Sequence, residues 1–134
     1  MDTFEIKTRE HHQFVDITPQ VRAAVQQARL KEGFCIVYCP HTTAAITINE
    51  NADPDVVHDM LAWLKRAVPR QQADFRHAEG NSDAHIKASL VGSSATVIVE
   101  RGELALGRWQ GIFFCEFDGP RTRRVYVRTV SSGS

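Results

Sequence analysis

Six consecutive apolar residues, Phe34 to Cys39, run between Gly33 and Pro40. A helix would need a longer stretch with a 3.6-residue period, whereas a short continuous run bounded by glycine and proline suits a β-strand covered on both faces. Such a strand needs neighbours, and the rest of the chain supplies them. Phe4 and Ile6 alternate with polar residues between Thr3 and Thr8, and Phe14, Val15 and Ile17 form a second short extended piece. Ala44 to Asn49 sets Ile46 and Ile48 on one side and Thr47 and Asn49 on the other. The last third is strand-rich: Ala95 to Glu100, a turn at Arg101–Glu103, Trp109 to Phe117, and Arg124 to Arg128.

Two segments carry helix signals. Thr18-Pro19 reads as a cap followed by proline at the first helical position, and Val21, Ala24, Val25, Ala28 and Leu30 mark one face of a helix ending at Gly33. Asp53-Pro54 repeats the signature, with Val57, Met60, Leu61, Leu64 and Val68 on one face before Pro69. Arg70 to Asp83 reads as loop, and His85 to Leu90 as a short helical turn. Two main helices among strands joined by hairpin-length connections predict an α+β fold, a mainly antiparallel sheet or sandwich, in one domain over residues 1–130. Residues 131–134 read as a disordered tail.

Bulk properties narrow the function. The chain has 134 residues with 16 basic and 16 acidic side chains, so no net field draws it to nucleic acid or an anionic membrane. No apolar run approaches the roughly twenty residues of a membrane helix, and the polar, strand-like start does not resemble a signal peptide, so a cytoplasmic protein is expected. Cys35 and Cys39 lie too far apart along one strand to bridge, and with Cys115 they read as core thiols.

Chemistry concentrates in three clusters. His77-Ala78-Glu79-Gly80-Asn81-Ser82-Asp83-Ala84-His85-Ile86 places two imidazoles, two carboxylates and an amide around one glycine. His77 and Glu79 are two apart, as are Asp83 and His85, which in an extended chain aims each pair to one side. Pro40-His41-Thr42-Thr43 sets a histidine and two hydroxyls between apolar strands, and Asn49-Glu50 precede a helix start. Imidazoles with carboxylates suit zinc or another divalent metal, although the spacing matches neither a finger nor an HExxH protease; a hydrogen-bonded polar pocket without metal is the competing reading. Lys87 and Arg121 are candidates for clamping phosphate; downstream of the three clusters, Gly107 to Gln110 open a strand that Glu116 to Arg121 close. Alternation puts Glu116 on an apolar face, where it needs Arg121, Lys87 or a bound cation. His11 and His12 read as an early polar loop, and His58 beside Asp59 as a solvated helix face.

Taken together, Pro40-His41-Thr42-Thr43-Ala44-Ala45-Ile46, Asn49-Glu50-Asn51 with Asp53-Pro54-Asp55, His77-Ala78-Glu79-Gly80-Asn81 with Asp83 to Leu90, and Leu106-Gly107, Trp109-Gln110 and Glu116 to Arg121 closely resemble the YjbQ family. The resemblance runs in order from about residue 14 to residue 129. It implies an antiparallel α+β fold that assembles as a homotrimer, and secondary thiamine-phosphate synthase activity, which joins hydroxymethylpyrimidine diphosphate to thiazole phosphate with release of pyrophosphate. It also implies a divalent metal, zinc or magnesium, at His41, His77 and His85. Glu50, Glu79 and Asp83 are then the candidate catalytic groups, and Thr42, Asn49, Asn81, Lys87, Gln110 and Arg121 the candidate contacts to a small phosphorylated substrate. Arg108 departs from the threonine the family usually has there. The alternative expectation is a non-catalytic trimer that binds a metal or small anion.

Overall fold

The computed structural model describes residues 1–133; Ser134 lies outside the described residues. The elements are β1 (Asp2–Lys7), β2 (Gln13–Asp16), α1 (Thr18–Gln27), β3 (Gly33–Tyr38), β4 (Ala44–Glu50), α2 (Pro54–Ala67), α3 (Ser82–Val91), β5 (Ser94–Glu100), β6 (Glu103–Leu104), β7 (Gln110–Glu116) and β8 (Thr122–Ser131). They form a five-stranded sheet in the order β1-β8-β3-β5-β6 and a three-stranded sheet in the order β2-β7-β4. Every pairing is antiparallel, so the chain is an α+β protein as expected.

The apolar run becomes β3, the middle strand of the larger sheet, but only one of its faces is closed. Cys35 and Val37 are buried against Ile46, Ile112 and Phe114 of the smaller sheet, with α1 contributing Val21 and Val25. The alternate residues Phe34, Ile36 and Tyr38 stay partly or wholly exposed on the outside. The strand that is covered on both faces is β7, where every residue from Gly111 to Glu116 is buried. Its Ile112 and Phe114 enter the core between the sheets. Its Phe113 and Cys115 enter a second core with Ala45, Leu64, Ala84, Ala88 and Phe117, roofed by α2 and α3. The layers are therefore large sheet, small sheet, helices. All three cysteines are buried and free.

The helices differ from their sequence signals in instructive ways. Asp53 caps α2, its carboxylate accepting the Asp55 N–H at 2.9 Å. At α1 the cap is different: Asp16 accepts the Thr18 N–H at 2.9 Å, while the Thr18 hydroxyl accepts the Ile112 N–H at 2.8 Å and ties the helix to β7. α1 ends at Gln27 rather than near Gly33, and Arg29 takes a left-handed φ of 54°. Leu30 is buried all the same, beyond the helix. The expected short turn at His85 is a ten-residue helix, α3. Its buried positions are Asp83, Ala84, Lys87 and Ala88; two charges in the inward stripe hide the apolar period. At the C-terminus β8 extends through Ser131, which pairs with Gly33, and the Ser132 N–H donates to Glu32 O at 3.0 Å. Only glycine fits at 33, since a Cβ there would collide with the Val130 carbonyl.

One buried ion pair ties the two sheets together. Glu116, at the end of β7, is fully buried and meets Arg123 of β8, which is 2% exposed. Arg123 Nε donates to Glu116 Oε1 at 2.8 Å and Nη2 donates to Oε2, a two-pronged contact. Thr8, just after β1, donates its hydroxyl to Glu116 Oε1 at 2.8 Å, and the Asp118 N–H donates to Oε2 at 3.0 Å. Arg123 Nη2 also reaches Thr43 Oγ1 at 2.9 Å and its carbonyl at 3.2 Å. The partner of Glu116 is thus Arg123, not Arg121, Lys87 or a cation. Gly119 is needed alongside, because a Cβ would strike Glu10 O and Glu116.

Burial alone would raise the Glu116 pKa, but the Arg123 hydrogen bond, the Asp118 N–H, the Thr8 hydroxyl and the Arg123 charge together bring it below the usual value. A carboxylate depressed in the fold adds stability that is present above its unfolded pKa and is lost as pH falls through the folded one. Arg123→Met should therefore cost about 3–5 kcal/mol at neutral pH by stranding a buried carboxylate. It should also move the acid-unfolding midpoint to higher pH. Urea melts between pH 7 and pH 3 check both; an unchanged acid midpoint would contradict the assignment.

Candidate functional site

The turn between β3 and β4 and the outer side of α3 build one cleft of about 450 Å³. Its polar lining is His41 and Thr42 from the turn, His85 and Ser89 from α3, and Ser93 after it. His85 and Ser89 are one helical turn apart and share a face. His41 is held by the chain rather than by side chains: its Nε2 accepts the Arg124 N–H at 2.9 Å. Its ring stands edge-on to Phe114, with centroids 6.5 Å apart. Burial first, then the Arg123 charge, lower its pKa below the usual value. The ring is therefore neutral near pH 7, and with Nε2 accepting, the proton sits on Nδ1.

His85 is a shared wall. On its other side a second depression contains Phe75, Arg76, His77, Ser82 and Ile86. The His77 and His85 rings meet edge-on with centroids 5.4 Å apart. Glu79 Oε1 lies 4.0 Å from His77 Nε2, and both side chains are well exposed. Among the described residues, no group of three or more His, Cys, Asp or Glu is placed to hold a metal within this chain. The expected metal residues His41, His77 and His85 are therefore not gathered into such a group.

Other sequence-predicted residues go elsewhere. Asn49, Glu50 and Gln110 sit at the far end of β4 and β7, where Glu50 pairs with Gln110. Six residue steps along β4 separate Glu50 from Ala44 at the cleft, about 20 Å. There Glu50 Oε2 accepts the Asp53 N–H at 3.2 Å, Asn49 Oδ1 accepts the Glu50 N–H at 2.7 Å, and Gln110 Oε1 accepts the Gly107 N–H at 2.7 Å. Asn81 is buried and donates to Asp118 Oδ2 at 2.9 Å, which also accepts Arg121 Nη2 at 3.0 Å. Asp83 and Lys87 turn to the opposite face of α3, where Lys87 Nζ donates to Asp83 Oδ2 at 2.7 Å. His58 stays on a solvated face, 3.0 Å from Asp59.

Three groups escaped the sequence reading. Ser89 was legible, four residues after His85. Ser93 follows a helix end that the buried charges concealed. His12 is not a loop residue in solvent: it is 8% exposed, and its Nε2 lies 2.7 Å from Lys87 Nζ, 75 residues away. Burial, then the Lys87 charge, hold its pKa down to about 4.

Both rings thus bind fewer protons folded than unfolded below about pH 6.5. Their stabilising contribution is complete above that value and is lost as pH falls through each folded pKa. Histidine-ring NMR titration should place His41 below the ordinary midpoint and His12 at about 4. A His12 midpoint near 6.5 would contradict the buried lysine contact.

The chain matches a family model described as UPF0047 protein YjbQ-like over residues 2–132. It is 53% identical over 128 residues to the UPF0047 protein YugU of Bacillus subtilis, covering 96% of this chain and 97% of that protein. It is also 53% identical over 127 residues to a UPF0047 protein of Methanocaldococcus jannaschii, covering 95% and 91%. Among solved structures, a YjbQ/UPF0047 family protein from Clostridium acetobutylicum superposes with a TM-score of 0.95 at 53% identity, covering 97% of this chain and all (100%) of that one. A YjbQ-like protein from Sulfolobus solfataricus P2 gives 0.93 at 32% identity, covering 98% and 96%. The chain belongs to the YjbQ (UPF0047) family.

Proposed function

We propose that the protein is a small-molecule enzyme that acts on a phosphorylated substrate in the cleft between His41 and His85. The observation that carries this reading is the convergence there of two imidazoles and three hydroxyls, with His77 against the far side of His85. His41, neutral and held by the Arg124 N–H, offers Nδ1–H as a hydrogen-bond donor. Thr42, Ser89 and Ser93 orient a polar substrate. A zinc or magnesium ion on His77 and His85 would supply charge stabilisation for a phosphate leaving group, its coordination completed from outside this chain. Glu79, whose carboxylate lies 4.0 Å from His77 Nε2, would add negative charge beside that ring.

The reaction we assign is formation of thiamine phosphate from hydroxymethylpyrimidine diphosphate and thiazole phosphate. Pyrophosphate release is the readout. Wild-type protein should release it, and His85→Ala and Ser89→Ala should slow release by about 10- to 1,000-fold while leaving the melting temperature near that of the wild type. Equal rates in all three, or none in the wild type, would contradict the assignment. A second reading, a non-catalytic oligomer that binds a metal or small anion, draws on the absence of Glu50 and Asp83 from the cleft; substrate binding without turnover would support it.

We further propose a homotrimer. Ile98 and Tyr38 are 64% and 43% exposed on the outer face of the large sheet, where Tyr38 stacks on Tyr126 at 6.3 Å. Trp63 and Leu90 on the helical layer are 58% and 63% exposed. Apolar surface of this extent points to association. Sedimentation should return three times the chain mass, and Ile98→Glu should lower it; a wild-type monomer would contradict the proposal.

A further inference from the structure

The cleft between His41 and His85 is short of one kind of group. Its lining has two imidazoles and three hydroxyls but no carboxylate. The acids nearest in sequence to His85 are turned away from it. Asp83 is bound to Lys87 on the other face of α3, and Glu79 stands beside His77 on the far side of His85.

Carboxylates gather instead at the opposite end of β4. Glu50 is half-buried there, and Asp16, Asp53 and Asp55 are exposed around it. Hydrogen bonds place them on one surface. Glu50 Oε2 accepts the Asp53 N–H at 3.2 Å, Asn51 Nδ2 donates to Asp16 Oδ2 at 3.1 Å, and the Asn51 N–H donates to the Trp109 carbonyl at 3.0 Å. The Trp109 indole is 55% exposed, with the Arg108 guanidinium 5.0 Å from its ring centre. This end thus presents surplus negative charge beside a bare aromatic ring.

The cleft end presents the counterpart. Arg124, whose N–H holds His41, has an exposed side chain. On α3, Ile86 and Leu90 stand one turn apart next to His85 and Ser89, and they are 37% and 63% exposed. A guanidinium and imidazoles beside an apolar stripe match carboxylates beside an indole, in charge and in apolar surface alike.

Within one chain the two surfaces cannot meet, because six residue steps along β4, about 20 Å, separate them. Joining them takes a second copy. Since the two surfaces differ, the contact is head-to-tail, and a head-to-tail contact whose rotation closes makes a ring.

We propose that a second copy of this chain completes the cleft: Glu50 of the partner subunit enters beside His85, and Trp109 of the partner subunit packs on Ile86 and Leu90. The inference rests on the reading of this cleft as the functional site and names what completes it. A ring of three carries three such sites, each with imidazoles from one subunit and a carboxylate from the next.

Cross-linking of the full chain tests the contact without reference to turnover. Glu50→Cys/Ser89→Cys treated with bismaleimidoethane should give covalent dimer and trimer on a denaturing gel, and either single variant should remain monomeric there. The native thiols are buried and do not compete. No product between subunits, or the same product in a single variant, would overturn the proposal. Complementation tests it with other substitutions, should the double variant fail to fold. His85→Ala and Glu50→Gln should each slow pyrophosphate release. Co-expressed in equal amounts they should regain about a quarter of the wild-type rate, since one interface in four then joins an intact His85 to an intact Glu50. No regain would overturn the proposal. A wild-type protein that releases no pyrophosphate ends the reaction assigned above, whereas the contact stands or falls on the cross-link.

Discussion

The buried Glu116–Arg123 pair is the constraint on which the rest of the molecule hangs. It joins the end of β7 to the start of β8, and so fastens the small sheet to the large one. Through Thr8 it also anchors the end of β1, and through Thr43 the start of β4. A buried ion pair of this kind is not in itself an economical source of stability, since desolvation opposes the attraction. Its value is geometric. Two planar groups with satisfied oxygens and donors admit one register, and that register decides where the neighbouring turn goes. Thr43 is held by Arg123 and His41 by the N–H of Arg124, so the same two residues of β8 place the cleft's first imidazole.

Helix α3 is the second organising element. One of its sides lays Ala84 and Ala88 on the small sheet, and these small residues allow the helix to sit close to β4 and β7. The helix then divides the polar surface. His85 and Ser89 look to one cleft and Asp83 and Lys87 to another. The dense polar segment that stands out in the sequence is therefore divided by the helix between two clefts.

Much of the architecture was legible because it rests on local chemistry. The Asp53-Pro54 start of α2, the alternation along β1 and β4, and the burial of three free thiols each follow from a handful of adjacent residues. The role of β3 was misjudged for a definite reason. A continuous apolar run reads as buried on both sides, but here half of it faces outward on an open sheet. β7, interrupted by Glu116, is the strand enclosed on both sides. Arg123 could have been found: Val125 and Val127 fix the inward face of β8, and the same period puts Arg123 there. His12 could not. Its environment is made by Lys87, brought close only by the fold, and no neighbouring residue announces it. Likewise the proximity in sequence of His85, Asp83 and Lys87 suggested one cluster, whereas the 100° step of a helix separates them. Glu50 and Asn49 were linked to the histidines by family likeness, and within the chain they lie at the opposite end of a strand.

The proposed chemistry turns on whether His77 and His85 hold a divalent ion at the edge of the proposed substrate cleft. Elemental analysis of the protein purified without chelators tests it most directly. The account predicts about one equivalent of zinc or a similar ion per subunit, lost in His85→Ala with the fold retained. Full metal content in His85→Ala, or none in a correctly folded wild-type protein, would contradict it.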